Sequence, residues 1–134
     1  MTVLLDTHAA IWLTTESASL GKRSRALVAE ALAADRLAVA SISFWEIAML
    51  IAKGRLQALM PPADLRARLL DTGVNELVLT GEIALLAAGL DGLHGDPADR
   101  FIAASAIVHQ ATLMTADGRL LDWKHRLKRQ DAAK

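Results

Sequence analysis

The spacing of apolar residues divides the chain into short apolar runs and longer amphipathic segments. Short runs of this kind favour buried strands, and they lie at Val3–Leu5, Leu37–Ala40, Glu76–Leu79 and Thr112–Thr115. The longer segments repeat their apolar positions every three or four residues, or are bounded by proline and glycine, and so predict helices. The predicted helices are Thr7–Leu13, Ser24–Ala34, Ser43–Lys53, Ala63–Asp71, Glu82–Ala88 and a last one that follows the turn at His94–Arg100 and runs to about Gln110.

This order of strands and helices indicates an α/β fold. Successive strands separated by helices need crossover connections, so the strands should form a mostly parallel sheet with both faces covered. The sequence contains no internal repeat, no low-complexity tract and no linker-like stretch. We therefore expect a single domain that spans residues 1–134.

Composition and charge add two open questions. Hydrophobic residues make up 53% of the chain, which either fills a core or leaves apolar surface for a dimer or another partner. The formal net charge is +0, so any nucleic-acid binding must depend on local patches. The one candidate patch is the basic C-terminal segment, which could equally be a solvated helix end. It contains Arg119, Lys124, Arg126, Lys128, Arg129 and Lys134 against Asp122 and Asp131.

The sequence gives no sign of secretion or membrane insertion. It has no cysteine, and its first residues lack the basic region of a secretion signal. No segment approaches the roughly 20 apolar residues that a membrane-spanning helix needs. We expect a cytoplasmic protein with no membrane partner.

Four acidic residues lie where a parallel sheet gathers its functional groups. Asp6 and Asp117 directly follow predicted strands, and Glu46 and Asp99 fall in the first turns of predicted helices. Sites in open α/β sheets lie at the carboxyl ends of the strands. We therefore expect these carboxylates to converge at one edge of the sheet.

Each acid also has a purely structural interpretation. Asp6 could cap the helix that follows it, and Ser43 with Glu46 matches a capping box. Asp96 before Pro97 is typical of a helix start, which places Asp99 in the favourable field of the first turn. Asp117-Gly118 could be an ordinary turn.

The scarcity of positive charge beside the acids favours a metal site. Asp6 is the only charged Asp, Glu, Lys or Arg in residues 1–15, and Glu46 is the only one in residues 37–52. A carboxylate in such apolar surroundings needs a partner. Carboxylates without cysteine or paired histidines favour Mg²⁺ or Mn²⁺ over Zn²⁺. Among the histidines, His109 is predicted to be packed in the core, and His8 could touch the site.

Four fragments resemble the PIN-domain ribonucleases, and in particular the VapC-type toxins of bacterial toxin–antitoxin pairs. Their order matches that of the family, and they extend from Leu4 to Gly118. The fragments are Leu4–His8, Ser41–Ile47, His94–Ala104 and Met114–Gly118.

The resemblance implies a three-layer α/β/α sandwich with a small parallel sheet, and an endoribonuclease that uses Mg²⁺ or Mn²⁺. It assigns Asp6, Glu46, Asp99 and Asp117 as the catalytic, metal-binding acids, with Glu46 as a ligand or an orienter of water. The RNA substrate would be of the tRNA or rRNA class, and cleavage would leave 5′-phosphate and 3′-hydroxyl ends. The resemblance also implies a homodimer and a cognate VapB-type antitoxin.

Three further residues are accessory candidates. Thr115 matches the hydroxyl residue that the family often places before its fourth acid. Asp96 is mainly a helix cap that could also touch the metal or its waters. Arg100 could hold a phosphate or form a structural ion pair with a neighbouring acid.

Other enzyme classes that begin with a strand and an acid fit less well. A haloacid-dehalogenase-like phosphatase needs a second aspartate where His8 stands, and a receiver domain needs a lysine on a late strand. A dinucleotide-binding fold needs a glycine-rich turn after the first strand. The remaining alternative is a catalytically silent PIN-like module that binds RNA or protein.

Overall fold

The computed structural model describes residues 1–57 and 59–134, in which five strands alternate with seven helices. The strands are β1 (Val3–Leu5), β2 (Leu37–Ala40), β3 (Asn75–Leu77), β4 (Thr112–Thr115) and β5 (Arg129–Asp131). The helices are α1 (Thr7–Thr14), α2 (Lys22–Ala33), α3 (Ser41–Ala52), α4 (Pro62–Asp71), α5 (Gly81–Ala88), α6 (Pro97–Val108) and α7 (Gly118–Leu121). No helix in these two ranges combines the length and the apolar character that crossing a bilayer requires.

The strands form one parallel sheet in the order β3-β2-β1-β4-β5, as the alternation of elements predicted. The central strand β1 pairs with β2 on one side and with β4 on the other, so that Leu5 lies between Val39 and Met114. Because all strands run the same way, their carboxyl ends meet at one edge of the sheet.

Alternate residues of each strand are buried on opposite faces of the sheet. Val3 and Leu5 belong to a cluster with α1, α2 and α4, whereas Leu4 belongs to a cluster with α5 and α6. This alternation follows from the two-residue repeat of a strand, and apolar residues at every position are what a doubly covered sheet needs. The three-layer α/β/α arrangement is therefore confirmed.

Most of the predicted strand bounds agree with the structure, and the end of the third strand is the exception. The bounds of β1, β2 and β4 are those predicted, but β3 ends at Leu77 and not at Leu79. Its partner β2 ends at Ala40, which is paired with Leu77, so the chain has no hydrogen-bonding neighbour beyond that point. Val78 and Leu79 are consequently 62% and 43% exposed.

The C-terminal segment is not a helix end, which corrects the structural interpretation given from sequence. After α7 the chain crosses the sheet face and returns as β5, a three-residue edge strand beside β4. The Arg129 guanidinium stabilises the segment between α7 and β5, since it donates to the backbone oxygens of Leu120, Trp123 and His125. The strand was missed because its residues are all polar and give no apolar run.

We predict that Arg129→Met lowers the free energy of unfolding by about 2–3 kcal/mol, because three carbonyl groups lose a charged donor. Denaturation by guanidinium chloride measures this difference. The exposed Arg126 provides a matched control, and Arg126→Met should leave the stability within about 0.5 kcal/mol of wild type. Equal stability of the two variants would contradict this role of Arg129.

Candidate active site

Asp6 stands at the carboxyl end of the central strand and serves two purposes there. Its backbone N–H donates to the Met114 carbonyl at 3.0 Å and so continues the pairing of β1 with β4. One carboxylate oxygen accepts from the backbone N–H of Ala9 at 2.8 Å and caps α1. The other accepts from the Thr115 hydroxyl. The capping interpretation of Asp6 is thus confirmed, and it leaves the carboxylate, which is 5% exposed, at the sheet edge.

Thr115 connects the acids that follow the two neighbouring strands. Its buried hydroxyl donates to Asp6 Oδ2 and accepts from the backbone N–H of Asp117 at 3.0 Å. The hydroxyl therefore fixes the Asp6 carboxylate and the start of α7 relative to each other. Asp117 caps that helix through its own Oδ1, which accepts from the backbone N–H of Arg119.

Asp99 is presented by the first turn of α6, as predicted. Asp96 is the N-cap and Pro97 the first helical residue, and Asp96 Oδ1 accepts from the backbone N–H of Asp99 at 3.3 Å. Asp99 Oδ2 lies 2.7 Å from His94 Nε2. His94 belongs to the motif His94–Arg100, yet its contact with Asp99 was not foreseen, because the two residues are separated by a turn whose course the sequence does not show.

Glu46 lies two residues further into its helix than predicted. The capping-box interpretation is wrong, because α3 begins at Ser41 with Ala40 as its N-cap and without a side-chain cap. Ser43 is the third helical residue, and its buried hydroxyl accepts from the Thr7 hydroxyl at 3.1 Å. Glu46 is half-buried in the second turn and faces the same cleft as Asp6.

The four acids line one cleft of about 500 Å³ at the carboxyl edge of the sheet. In and beside this cleft are two groups whose ligand atoms lie within 4.8 Å of one another: His94 with Asp99 and Asp117, and Glu46 with Asp96 and Asp99. Asp99 belongs to both groups, whereas Asp6 belongs to neither in the described part of the chain. The other lining residues are Asp96, Thr7, His8, Trp12, Leu50, Ala116 and Arg119.

The charge state of the cleft reflects burial and mutual repulsion. Burial raises the pKa of Asp6, although hydrogen bonds from Thr115 and Ala9 oppose the rise. Burial also raises the pKa of Asp99, to about 6, and the neighbouring acids add to this rise while His94 opposes it. A carboxyl group whose ionisation is resisted in this way is one that a cation would stabilise.

A positive side chain that the sequence interpretation overlooked lies among these acids. Arg119 Nη2 is 3.1 Å from Asp117 Oδ2 and 3.7 Å from Asp99 Oδ2. Burial alone would raise the pKa of Asp117, but the hydrogen bonds and charge of Arg119 outweigh it and lower that pKa. The sequence feature that could have predicted this contact is the position of Arg119, which follows Asp117 by two residues in the first turn of α7.

Arg100 does not have the role suggested for it. Its guanidinium donates to the carbonyl oxygens of the segment that joins α5 to α6, so it is neither a phosphate contact nor the partner of an acid. These acceptors belong to Ala87, Ala88, Leu90, Leu93 and His94, at 2.8 to 3.3 Å. Arg100 instead fixes the segment that contains His94.

The remaining histidines also differ from expectation in part. His109 is exposed at the end of α6, so the prediction of a core histidine is wrong. The apolar face of the helix packs against the core. His109 lies at the end of the helix, where its side chain is not covered by the core. His8 is exposed and lines the acidic cleft, as the proximity to Asp6 suggested.

The donors present fit a hard divalent cation. Carboxylate oxygens from separate elements lie close enough to share an ion, and burial, together with the neighbouring acids, raises the pKa of Asp99. Mg²⁺ and Mn²⁺ prefer such oxygen ligands. His94, if it took part, would suit Mn²⁺ better than Mg²⁺.

The family profile described as "PIN domain" matches residues 3–125. The chain belongs to the PIN-domain family. It is also 38% identical over 125 residues to the protein named Ribonuclease VapC22 of Mycobacterium tuberculosis (strain ATCC 25618 / H37Rv), across 92% of this chain and 93% of that relative.

Solved structures share the fold of this PIN domain at low sequence identity. VapBC2 from Rickettsia felis, bound to a DNA fragment from its promoter, matches with a TM-score of 0.69 and 16% identity over 97% of this chain and 98% of that one. FitAcB from Neisseria gonorrhoeae matches with a TM-score of 0.64 and 21% identity over 98% of both chains. These likenesses support the fold assignment.

The raised pKa of Asp99 predicts how the stability of the metal-free PIN domain depends on pH. Between the ordinary pKa of 3.8 and about 6, the folded protein binds a proton that the unfolded chain has lost. Stability from this group is therefore present at low pH and is lost as the pH rises through 6. In EDTA, we expect Asp99→Asn to raise Tm by a few degrees at pH 7.5 and by less at pH 5.

Thermal melts at the two pH values measure this difference. Asp71→Asn, at an exposed position on α4, is the matched control and should keep the pH dependence of wild type. A shift for Asp99→Asn that is equal at both pH values would show that repulsion at this carboxyl group does not control the stability of the site.

Proposed function

We propose that this PIN domain is a Mg²⁺-dependent endoribonuclease, with Mn²⁺ as an alternative cation, and the toxin component of a VapBC-type toxin–antitoxin pair. The observation that supports this most strongly is the meeting of Asp6, Glu46, Asp99 and Asp117 in one cleft. The similarity to a protein named Ribonuclease VapC22 supports the same activity.

The proposed roles of the acids follow from their positions. Asp99 is the central ligand, because it is the one acid that lies within 4.8 Å of both groups of potential ligands. Asp117 and Asp6 are ligands from neighbouring strand ends, and Thr115 holds them in register. Glu46 either binds the ion or orients a coordinated water. Asp96 is accessory, since one of its oxygens is already occupied by the helix cap.

The chemistry requires a nucleophile and charge neutralisation at the scissile phosphate. A bound divalent cation would supply both, by acidifying a coordinated water and by offsetting charge on the phosphate oxygens. The carboxylates of the cleft would orient an attacking water in line with the leaving oxygen and accept its proton, and the leaving 3′-oxygen would take a proton from solvent. The products would carry 5′-phosphate and 3′-hydroxyl ends, and the substrate would be an RNA of the tRNA or rRNA class.

A VapB-type antitoxin fits the same cleft. The cleft is lined by Trp12, Leu50 and Ala116 as well as by the acids, so it offers apolar contacts beside negative charge. A peptide segment with both basic and apolar side chains would complement it, and would keep RNA away from the acids. The likeness to VapBC2 from Rickettsia felis supports a VapB-type partner for this chain.

We also propose a homodimer that acts in the cytoplasm. Large apolar side chains are exposed near the β3 edge of the sheet, where Val78, Leu79 and Leu85 are 62%, 43% and 80% exposed. Trp45 on α3 is 53% exposed. Exposed apolar groups of this size favour a protein interface. A second copy of the chain would therefore cover part of the surface that the excess of hydrophobic residues leaves open.

The test of the activity is RNA cleavage by wild type, Asp6→Asn and Asp99→Asn with Mg²⁺ and with EDTA. Mutations outside a metal's ligand shell cost about 10–100-fold, so loss of a ligand should lower cleavage by about 100-fold or more. Asp71→Asn should retain wild-type activity, and circular dichroism should show that all variants are folded.

Two results would contradict the proposal. Full activity of either active-site variant would remove the assigned residues from the reaction, and undiminished cleavage in EDTA would remove the cation. RNA binding without cleavage by the wild type would instead identify a silent binding module.

A further inference from the structure

Arg119 lies between two clefts of the surface and borders both of them. One is the acidic cleft, and the other is a neighbouring cleft of about 450 Å³. The second cleft is lined by Gly92, His94, Arg119, Asp122, Trp123 and Lys124. The side chain of Arg119 is 62% exposed, so it has room to change its position.

Arg119 occupies the space between two candidate ligands. One of its nitrogens lies 3.1 Å from Asp117 Oδ2 and 3.7 Å from Asp99 Oδ2, and Nε lies 3.3 Å from Asp117 Oδ1. These two acids, together with His94, form a group whose ligand atoms are within 4.8 Å of one another. A cation bound by Asp99 and Asp117 would have to displace this guanidinium.

The second cleft offers a displaced guanidinium the carboxylate of Asp122 and the planar ring of Trp123. Lys124 is an exposed cation there, and the buried Trp123 ring is fixed by a hydrogen bond to the Asp91 carbonyl. Asp122 is the one exposed acid of this cleft. Arginine and lysine side chains that line one cleft suit the charge and shape of phosphate oxygens.

We propose that Arg119 has two positions: it bridges Asp99 and Asp117 in the metal-free protein, and after a cation takes these acids it turns into the second cleft to hold an RNA phosphate beside Lys124. This inference rests on the proposed ribonuclease function for its second half only. The bridge stabilises the acids before the cation arrives, and the second position adds a contact to substrate that the metal-free protein lacks.

The occupant that the charges favour is an RNA strand and not an antitoxin peptide. The peptide would have to be basic to complement the acidic cleft, and a basic peptide would be repelled by Arg119 and Lys124 in the second cleft. A phosphate backbone meets the cation in one cleft and the two basic side chains in the other.

The first arm of the test is a calorimetric titration of the metal-free protein with Mn²⁺. Each exposed ion pair contributes modestly, so Arg119→Gln should raise the Mn²⁺ affinity by about two- to tenfold and Arg119→Lys by less. The Tm of metal-free Arg119→Gln should fall, and its gain on adding Mn²⁺ should be larger than that of wild type. Arg68→Gln, at an exposed position on α4, should leave the affinity unchanged.

The second arm measures cleavage of total tRNA at saturating Mn²⁺ for each variant. Loss of one phosphate contact to a single strand should reduce the slope of log kcat/KM against log salt concentration by about 0.7. Arg119→Gln should show this change with a higher KM, and Arg68→Gln should not.

Each arm has its own contradicting outcome. Unchanged or weaker Mn²⁺ binding by Arg119→Gln would overturn the bridging position, and an unchanged KM and salt slope would overturn the phosphate position. If a peptide from an antitoxin bound more weakly to Arg119→Gln while the RNA kinetics stayed the same, the second cleft would belong to the peptide. Absence of RNA cleavage by the wild type would overturn the proposed function, whereas the Mn²⁺ titration remains a test of the bridge without RNA.

Discussion

Repulsion among carboxylates that a parallel sheet brings to one edge is the constraint on which this site depends. The fold places Asp6 and Asp117 at the ends of adjacent strands, and two helices add Glu46 and Asp99. The protein tolerates them by capping helices with two of the acids and by placing Arg119 among them. Burial and the neighbouring acids still raise the pKa of the central acid, Asp99, and a divalent cation bound there would stabilise its ionised form.

Structural and functional interpretations of these acids are compatible and do not compete. Asp6 uses one oxygen to cap α1 and Asp117 uses one to cap α7, so the same hydrogen bonds that define the helix starts also aim the carboxylates. Helix N-termini stabilise negative charge, which lowers the cost of gathering the acids before any cation is present. Thr115 adds a shared hydroxyl between them.

The sequence was sufficient for the parts of the fold that depend on local pattern. Apolar runs located β1, β2 and β4, and the short, doubly buried strands implied the parallel sheet that gathers the acids. It was insufficient where contacts between distant segments decide the outcome. The polar strand β5 is held by its pairing with β4 and by the bonds of Arg129 to the preceding loop, and no apolar run marks it. His94 meets Asp99 because Arg100 shapes the preceding segment through backbone carbonyls, a role that its charge alone does not indicate.

The measurement that tests the central claim most directly is the location of Mn²⁺ by anomalous scattering in a crystal of the protein. We expect an anomalous peak inside the acidic cleft, within coordination distance of Asp99 and of at least one of the other three acids. A cleft without a peak at saturating Mn²⁺, or peaks only at acids elsewhere on the surface, would contradict it.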